Sequence, residues 1–74
     1  MKTKRSPILA RFGLSVYVRR KALHLTQTTL AKKSRIHRTY VADVESGTRN
    51  PSLKTIVRLA RALKVSVKQL VRDI

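Results

Sequence analysis

Three polar residues, Arg38, Thr39 and Asp43, share one face of a short helical pattern in the middle of this 74-residue chain. A guanidinium group can bond guanine at O6 and N7 together, a threonine can bond a base or touch a thymine methyl, and a carboxylate can accept from cytosine N4. A second role is open to Asp43, because it follows Arg38 and Thr39 by about one helical turn and could orient them. The three residues therefore form a candidate surface for reading bases.

The elements that must position these side chains lie between residues 26 and 47. With a period of 3.6 residues, this stretch divides into two short helices joined by a tight turn. Leu30 and Ala31 give the first helix an inward face, and Val41 and Val44, three residues apart, do the same for the second. Two short helices of which the second exposes a polar face describe a helix-turn-helix.

A longer helix is predicted ahead of this motif. Pro7 suits the first turn of a helix, which is predicted to run to about Ala22. Leu14 and Val18 fall off its main apolar stripe, so they either extend the core or meet a partner. Residues 1–6 carry three bases and no apolar pattern, so a basic flexible arm is expected there, followed by a single domain over residues 7–74.

Two further helices are predicted behind the motif. Ser52 caps a fourth helix that runs to about Leu63, and Ser66 with Gln69 forms a capping box that opens a fifth. The predicted apolar positions of the fourth helix are Leu53, Ile56, Val57, Leu59, Ala60 and Leu63. The pattern as a whole indicates a small all-α domain of five helices.

The charge of the chain is strongly one-sided. Eighteen lysines and arginines face three acidic residues, which gives a formal net charge of +15. Such a balance favours a polyanionic partner, with nucleic acid the obvious candidate. The bases are spread over every segment rather than along one face of an amphipathic helix, which argues against a membrane-surface binder.

The composition also narrows the possible chemistry. There is no cysteine, and His24 and His37 lack a partner cluster, so we predict no metal and no cofactor. Paired carboxylates, a nucleophile with a base, and a phosphate-cradling glycine loop are all missing, so an enzyme is not expected. No apolar run approaches the ~18 residues of a membrane span, and a secretory core is lacking. A cytoplasmic protein, associated with the nucleoid through DNA, is expected.

Over about residues 10–71 the chain resembles the Cro/C1-type repressor family of helix-turn-helix proteins. The run from Arg38 to Val41, followed by Arg49-Asn50-Pro51, is most similar to controller proteins of restriction-modification systems. The residues that carry the wider resemblance are Phe12-Gly13, Val16, Arg20, Leu25-Thr26-Gln27, Leu30-Ala31, Glu45-x-Gly47, Arg49-Asn50-Pro51 and Leu59-Ala60-x-Ala62-Leu63.

The resemblance implies a lambda-repressor-like domain whose second and third helices are the helix-turn-helix. It implies that Arg38, Thr39 and Asp43 face the major groove. The implied contacts to DNA phosphates are Gln27, Tyr40, Thr48, Arg49 and Asn50. Alternatives remain open: Gln27 could be a plain helix residue, Tyr40 could pack against the fourth helix, and the loop that begins at Thr48 could be an ordinary surface turn.

The resemblance also implies that Arg20 pairs with Glu45, the only glutamate in the chain. A partly buried pair of this kind would lock the first helix to the third. The chain departs from the family pattern where His24, Arg35 and Lys64 replace glycines that would tolerate a positive φ. His37 stands where a serine or threonine normally caps the third helix, which weakens that cap.

The apolar residues of the last helix are expected to form a two-fold dimer interface, as the resemblance implies. They are Val67, Leu70, Val71 and Ile74. The alternative is that this helix closes the core of the monomer.

The leading hypothesis is therefore a sequence-specific double-stranded-DNA-binding transcriptional regulator, acting as a homodimer on a palindromic operator without a small-molecule ligand. Two other hypotheses are an antitoxin-type interaction protein with autoregulatory DNA binding and a non-specific nucleic-acid-binding protein.

Overall fold

The computed structural model describes residues 6–72 and 74, and this part of the chain forms five α-helices with no strand. The helices are α1 (Pro7–Ala22), α2 (Gln27–Ser34), α3 (Arg38–Ser46), α4 (Leu53–Ala62) and α5 (Val67–Val71). The predicted all-α, five-helix architecture is confirmed. None of these helices is long and apolar enough to cross a bilayer.

Side-chain caps define where three of the helices begin. The hydroxyls of Thr26, Ser52 and Ser66 each accept a hydrogen bond from the backbone N–H three residues later, at the starts of α2, α4 and α5. Each cap satisfies one of the backbone donors that a helix start leaves without a partner. The predicted basic arm covers residues 1–6, of which only Ser6 lies within the described part, as the extended N-cap of α1.

The core lies where α1 meets α3 and α5, where α2 meets α3 and α4, and where α4 meets α5. Its buried apolar residues are Phe12, Val16, Leu30, Ala31, Val41, Val44, Leu59, Ala60, Leu63 and Leu70. The prediction that Leu53 belongs to the apolar face of α4 is wrong, since this residue starts the helix and is 72% exposed. Leu14 and Val18 are also largely exposed, so they do not extend the core.

Connections of four, three and four residues join α1 to α2, α2 to α3, and α4 to α5, and they share one backbone geometry. In each, a basic residue with φ near +60° ends the helix: His24 (58°), Arg35 (60°) or Lys64 (61°). The next residue is apolar, and its N–H bonds back to a carbonyl in the last turn, as Ile36 does to Ala31. The positive φ that the family's glycines would tolerate is therefore retained by His24, Arg35 and Lys64. It costs about 1 kcal/mol for each residue with a Cβ.

Candidate nucleic-acid interface

α3 lies across the domain with one apolar face buried. Val41 and Val44 are at most 1% exposed, because they pack into the core formed with α1 and α2. Arg38 and Thr39 are exposed at the first turn, and Asp43 is half-buried one turn later. The face predicted to read bases is thus the face that packing leaves outward.

The N-terminal end of α3 has no side-chain cap. His37 has the extended backbone of an N-cap residue (φ −70°, ψ 147°), but its side chain accepts no hydrogen bond from the helix. No acidic residue lies in the first turn either. The first backbone N–H groups and the positive end of the helix dipole are therefore not neutralised locally, which suits an approaching anion.

The alternative role of Asp43, orienting its neighbours, is not realised in this conformation. In the described part of the chain, no ion pair joins Asp43 to Arg38, and no hydrogen bond joins it to Thr39. The backbone carbonyl of Asp43 instead accepts from the N–H of Thr48 at 3.0 Å, as part of the turn that ends α3.

The C-terminal end of α3 is held by a buried ion pair with α1. Arg20 Nε lies 2.6 Å from Glu45 Oε2, and Arg20 Nη2 donates to Glu45 Oε1 at 2.9 Å. The two side chains are only 9% and 6% exposed. Hydrogen bonding to Glu45 raises the pKa of the Arg20 guanidinium, and the attraction of that carboxylate outweighs the opposing effect of burial. Arg20 Nη1 also donates to the Leu25 carbonyl, so both terminal nitrogens of the guanidinium have a partner.

Gly13 allows α1 and α3 to approach at this end. A Cβ at this position would lie 2.3 Å from the carbonyl oxygen of Val44 and 2.7 Å from that of Glu45. Both distances are far below van der Waals contact with backbone atoms that cannot move independently. The glycine is therefore required by a close helix–helix approach.

Gln27, a predicted phosphate contact at the first position of α2, also contacts the Arg20–Glu45 ion pair. Its side-chain amide donates to Glu45 Oε1 at 3.0 Å, and the residue is half-buried. The structure therefore brings Arg20, Gln27 and Glu45 together, linking α1, α2 and α3 at one point.

Tyr40 and Arg49 form a second cluster, at the start of α4. The guanidinium carbon of Arg49 lies 4.3 Å from the centre of the Tyr40 ring. The Tyr40 hydroxyl accepts from the N–H of Ser52 at 3.4 Å. Burial by itself raises the pKa of this hydroxyl, but hydrogen bonds with Thr55, Ser52 and Arg49 and the charge of Arg49 outweigh it, so the pKa is lowered. Tyr40 thus packs against α4 in this conformation.

The other two predicted phosphate contacts lie on the loop between α3 and α4. Thr48 and Asn50 are exposed. The Thr48 hydroxyl donates to the Asp43 carbonyl at 3.2 Å, so this side chain already helps to end α3.

The residues predicted for a dimer interface do not share one environment. Leu70 is completely buried in the core of its own chain, so its side chain cannot reach a partner, and that prediction is corrected. Val67 and Val71 are half-buried, and Ile74 is 39% exposed. α5 is tied to α1 by Ser15 Oγ, which donates to the Leu70 carbonyl at 2.8 Å, and by Arg19, which donates to Gln69.

The sequence interpretation missed one set of basic side chains. Lys21 and His24, at the C-terminal end of α1, line the same cleft as Gln27, Thr28 and Arg38. The signal was the position of Lys21 in the last turn of α1 and of His24 in the short connection to α2, which folds back toward the motif.

Comparison with known proteins identifies the wider family. A helix-turn-helix family model matches residues 16–70. The chain is 42% identical over 60 residues to the control protein C.BamHI of Bacillus amyloliquefaciens, covering 80% of this chain and 74% of that protein. It is 41% identical over 61 residues to the immunity repressor protein of Bacillus phage phi105, covering 82% of this chain but 42% of that protein.

Among solved structures, the restriction-modification controller protein C.AhdI from Aeromonas hydrophila superposes with a TM-score of 0.82 at 44% sequence identity. The match covers 84% of this chain and 94% of that one. The family match covers more than half of the chain and includes the cluster around Glu45 and the exposed face of α3. The chain belongs to the Cro/C1-type helix-turn-helix family of DNA-binding transcriptional regulators.

Proposed function

We propose that this regulator recognises a specific duplex-DNA sequence as a homodimer and acts by binding, without catalysis. α3 would enter the major groove, where Arg38, Thr39 and Asp43 discriminate between bases. The observation that carries this proposal is the exposure of Arg38 and Thr39 on a helix whose opposite face is fully buried. The similarity to proteins named control proteins and an immunity repressor supports the same role.

Contacts to phosphates would supply most of the affinity. Gln27, Thr48, Arg49 and Asn50 lie beside α3 at the start of α2 and on the loop before α4. The net charge of +15 favours binding to any duplex, because each phosphate contact releases counterions. Discrimination must therefore come from the few residues that reach base edges.

The proposed dimer surface is the exposed side of α5 with the neighbouring part of α1. Val67, Val71 and Ile74 contribute from α5. Leu14 and Val18 extend this apolar surface on α1, which α5 contacts directly. A two-fold arrangement would set two copies of α3 about 34 Å apart on one side of the duplex.

Selection of duplexes from a random pool at about 150 mM salt, a concentration at which long-range electrostatics are screened, tests this proposal. We expect an enriched inverted repeat whose half-sites are about one helical turn apart. Arg38→Ala should lose about 1–3 kcal/mol of discrimination at one base pair of each half-site.

The matched control for Arg38→Ala is Arg58→Ala, an exposed arginine on α4, which should leave the selected sequence unchanged. Tight binding without any enriched sequence would mean that the charge alone drives binding. An enriched single half-site would contradict the homodimer.

A further inference from the structure

The contact between Tyr40 and Arg49 holds an exposed side chain against a fixed ring. Arg49 is exposed, yet its guanidinium lies over an aromatic ring at 4.3 Å instead of extending into solvent. The ring itself is fixed, because Tyr40 packs on the core and its hydroxyl bonds to the backbone of Ser52. An otherwise mobile side chain is thereby held on a rigid platform.

A stacked guanidinium keeps its hydrogen-bond donors available. The ring covers one face of the planar group, whereas the five N–H donors point outward in the plane, and only one of them is needed for the bond to the Tyr40 hydroxyl. A phosphate oxygen can therefore approach the edge of Arg49 while the stack with Tyr40 is retained. The rotamer freedom that a free arginine would lose on binding DNA is already restricted here.

The Tyr40 hydroxyl, in contrast, is directed toward α4. It accepts from Ser52 and is hydrogen-bonded to Thr55, a residue only 6% exposed. A direct contact from this hydroxyl to a phosphate would require those bonds to break. The ring, over which Arg49 lies, is therefore the part of Tyr40 that remains to act on the candidate interface.

We propose that Tyr40 is a positioning residue for DNA binding, whose ring pre-organises Arg49 for a phosphate contact. This inference rests on the proposed function, since it assumes that the loop before α4 meets the DNA backbone. Because the contact is to a phosphate, its effect is independent of the base sequence.

The experiment measures affinity for the selected operator and for an unrelated duplex of the same length, using Tyr40→Phe and Tyr40→Leu. The first substitution keeps the ring, so we expect affinity to change less than two-fold, because the ring quadrupole that attracts the guanidinium is retained. The second removes the platform, and we expect binding to weaken about two- to five-fold on both duplexes.

A double-mutant cycle connects the effect to Arg49. Arg49→Ala should weaken binding and lower the slope of log affinity against log salt by about 1, as the loss of one phosphate contact requires. In the Arg49→Ala background, Tyr40→Leu should have no further effect on binding. A tyrosine that acted only through packing would instead weaken both backgrounds equally.

Tyr17 offers a matched control. It is also paired with an arginine, since the guanidinium carbon of Arg20 lies 5.4 Å from its ring centre. Arg20 already forms the buried ion pair with Glu45, so Tyr17→Leu should leave DNA affinity unchanged. Thermal unfolding of every variant ensures that binding is compared between folded proteins.

Three results would overturn the inference: equal losses for Tyr40→Phe and Tyr40→Leu, a loss for Tyr40→Leu that persists without Arg49, and a comparable loss for Tyr17→Leu. A wild-type protein that binds both duplexes equally contradicts sequence-specific function but leaves the expected Tyr40 effects measurable on each. A wild-type protein that binds neither duplex overturns both proposals.

Discussion

The two ends of α3 are held in opposite ways. At the C-terminal end, Glu45 forms a buried, two-point ion pair with Arg20, and the backbone passes against Gly13. At the N-terminal end, His37 provides no side-chain cap, and Arg38 is exposed. A helix held at one end can present the other end to a ligand without loosening the fold.

The arginines show the same division of roles. Arg20 is buried, and each of its three guanidinium nitrogens donates to a partner in its own chain, so it serves the structure. Arg49 is exposed and held by the ring and the hydroxyl of Tyr40, so most of its donors remain available. The same guanidinium group thus stabilises the domain or contacts a ligand according to its burial and its partners.

The largest effect should follow from breaking the buried pair. Glu45→Ala leaves the Arg20 charge buried without a partner, and we expect a loss of about 3–5 kcal/mol in the free energy of unfolding. Such a loss would consume most of the stability of a domain this small. Urea unfolding followed by circular dichroism measures it.

A double substitution separates the lost pair from the uncompensated charge. In Arg20→Met with Glu45→Leu, both charges are replaced by apolar groups, and we expect most of the lost stability to return. If Glu45→Ala alone cost less than about 1 kcal/mol, the pair would behave like a surface ion pair and the contrast between the two ends would fail.

A smaller effect is expected from the close approach of the backbones. Gly13→Ala would place a methyl group 2.3 Å from the Val44 carbonyl oxygen, so α3 must shift. We expect a loss of about 1–3 kcal/mol from overpacking, reduced by the better helix propensity of alanine. Thermal unfolding checks this, with Arg11→Ala as a control on an exposed position of the same helix. Equal stability of the two variants would contradict a tight α1–α3 contact.

Much of this arrangement could be predicted from the sequence, because it is encoded locally. The spacing of Val41 and Val44 predicts which side of α3 is buried, and caps such as Ser66 mark where helices begin. The family pattern, in which a glycine stands at the position of Arg35, indicated where a left-handed residue could lie. Each of these features depends on neighbours within one or two helical turns.

Other features depend on how distant elements meet, and no local pattern encodes them. Leu70 lies on the apolar side of a short helix whether it faces a partner or its own core, so its burial required the position of α1. The bond from Gln27 to Glu45 joins residues 18 positions apart, and the Arg49 stack depends on the path of the loop before α4. These are the contacts that convert a helix-turn-helix pattern into a specific surface.

The smallest of the three effects is expected at the N-terminal end of α3, which has no side-chain cap. His37→Ser adds a hydroxyl that can accept a hydrogen bond from the first turn of α3, so we expect a gain of about 1 kcal/mol in the free energy of unfolding. His37→Asp should give a similar gain, helped by its charge at the positive end of the helix dipole. Denaturant unfolding measures both gains.

DNA binding should separate these two variants, because they differ in charge and not in the cap that they supply. The hydroxyl leaves the electrostatics of the first turn unchanged, whereas the carboxylate would repel the DNA backbone, so only His37→Asp should bind more weakly, with the difference shrinking as salt is raised. If both variants bound DNA equally well, the N-terminal end of α3 would not face the duplex. The missing cap would then be an ordinary imperfection of the fold, and the rigid end at Glu45 would hold a helix that presents some other surface.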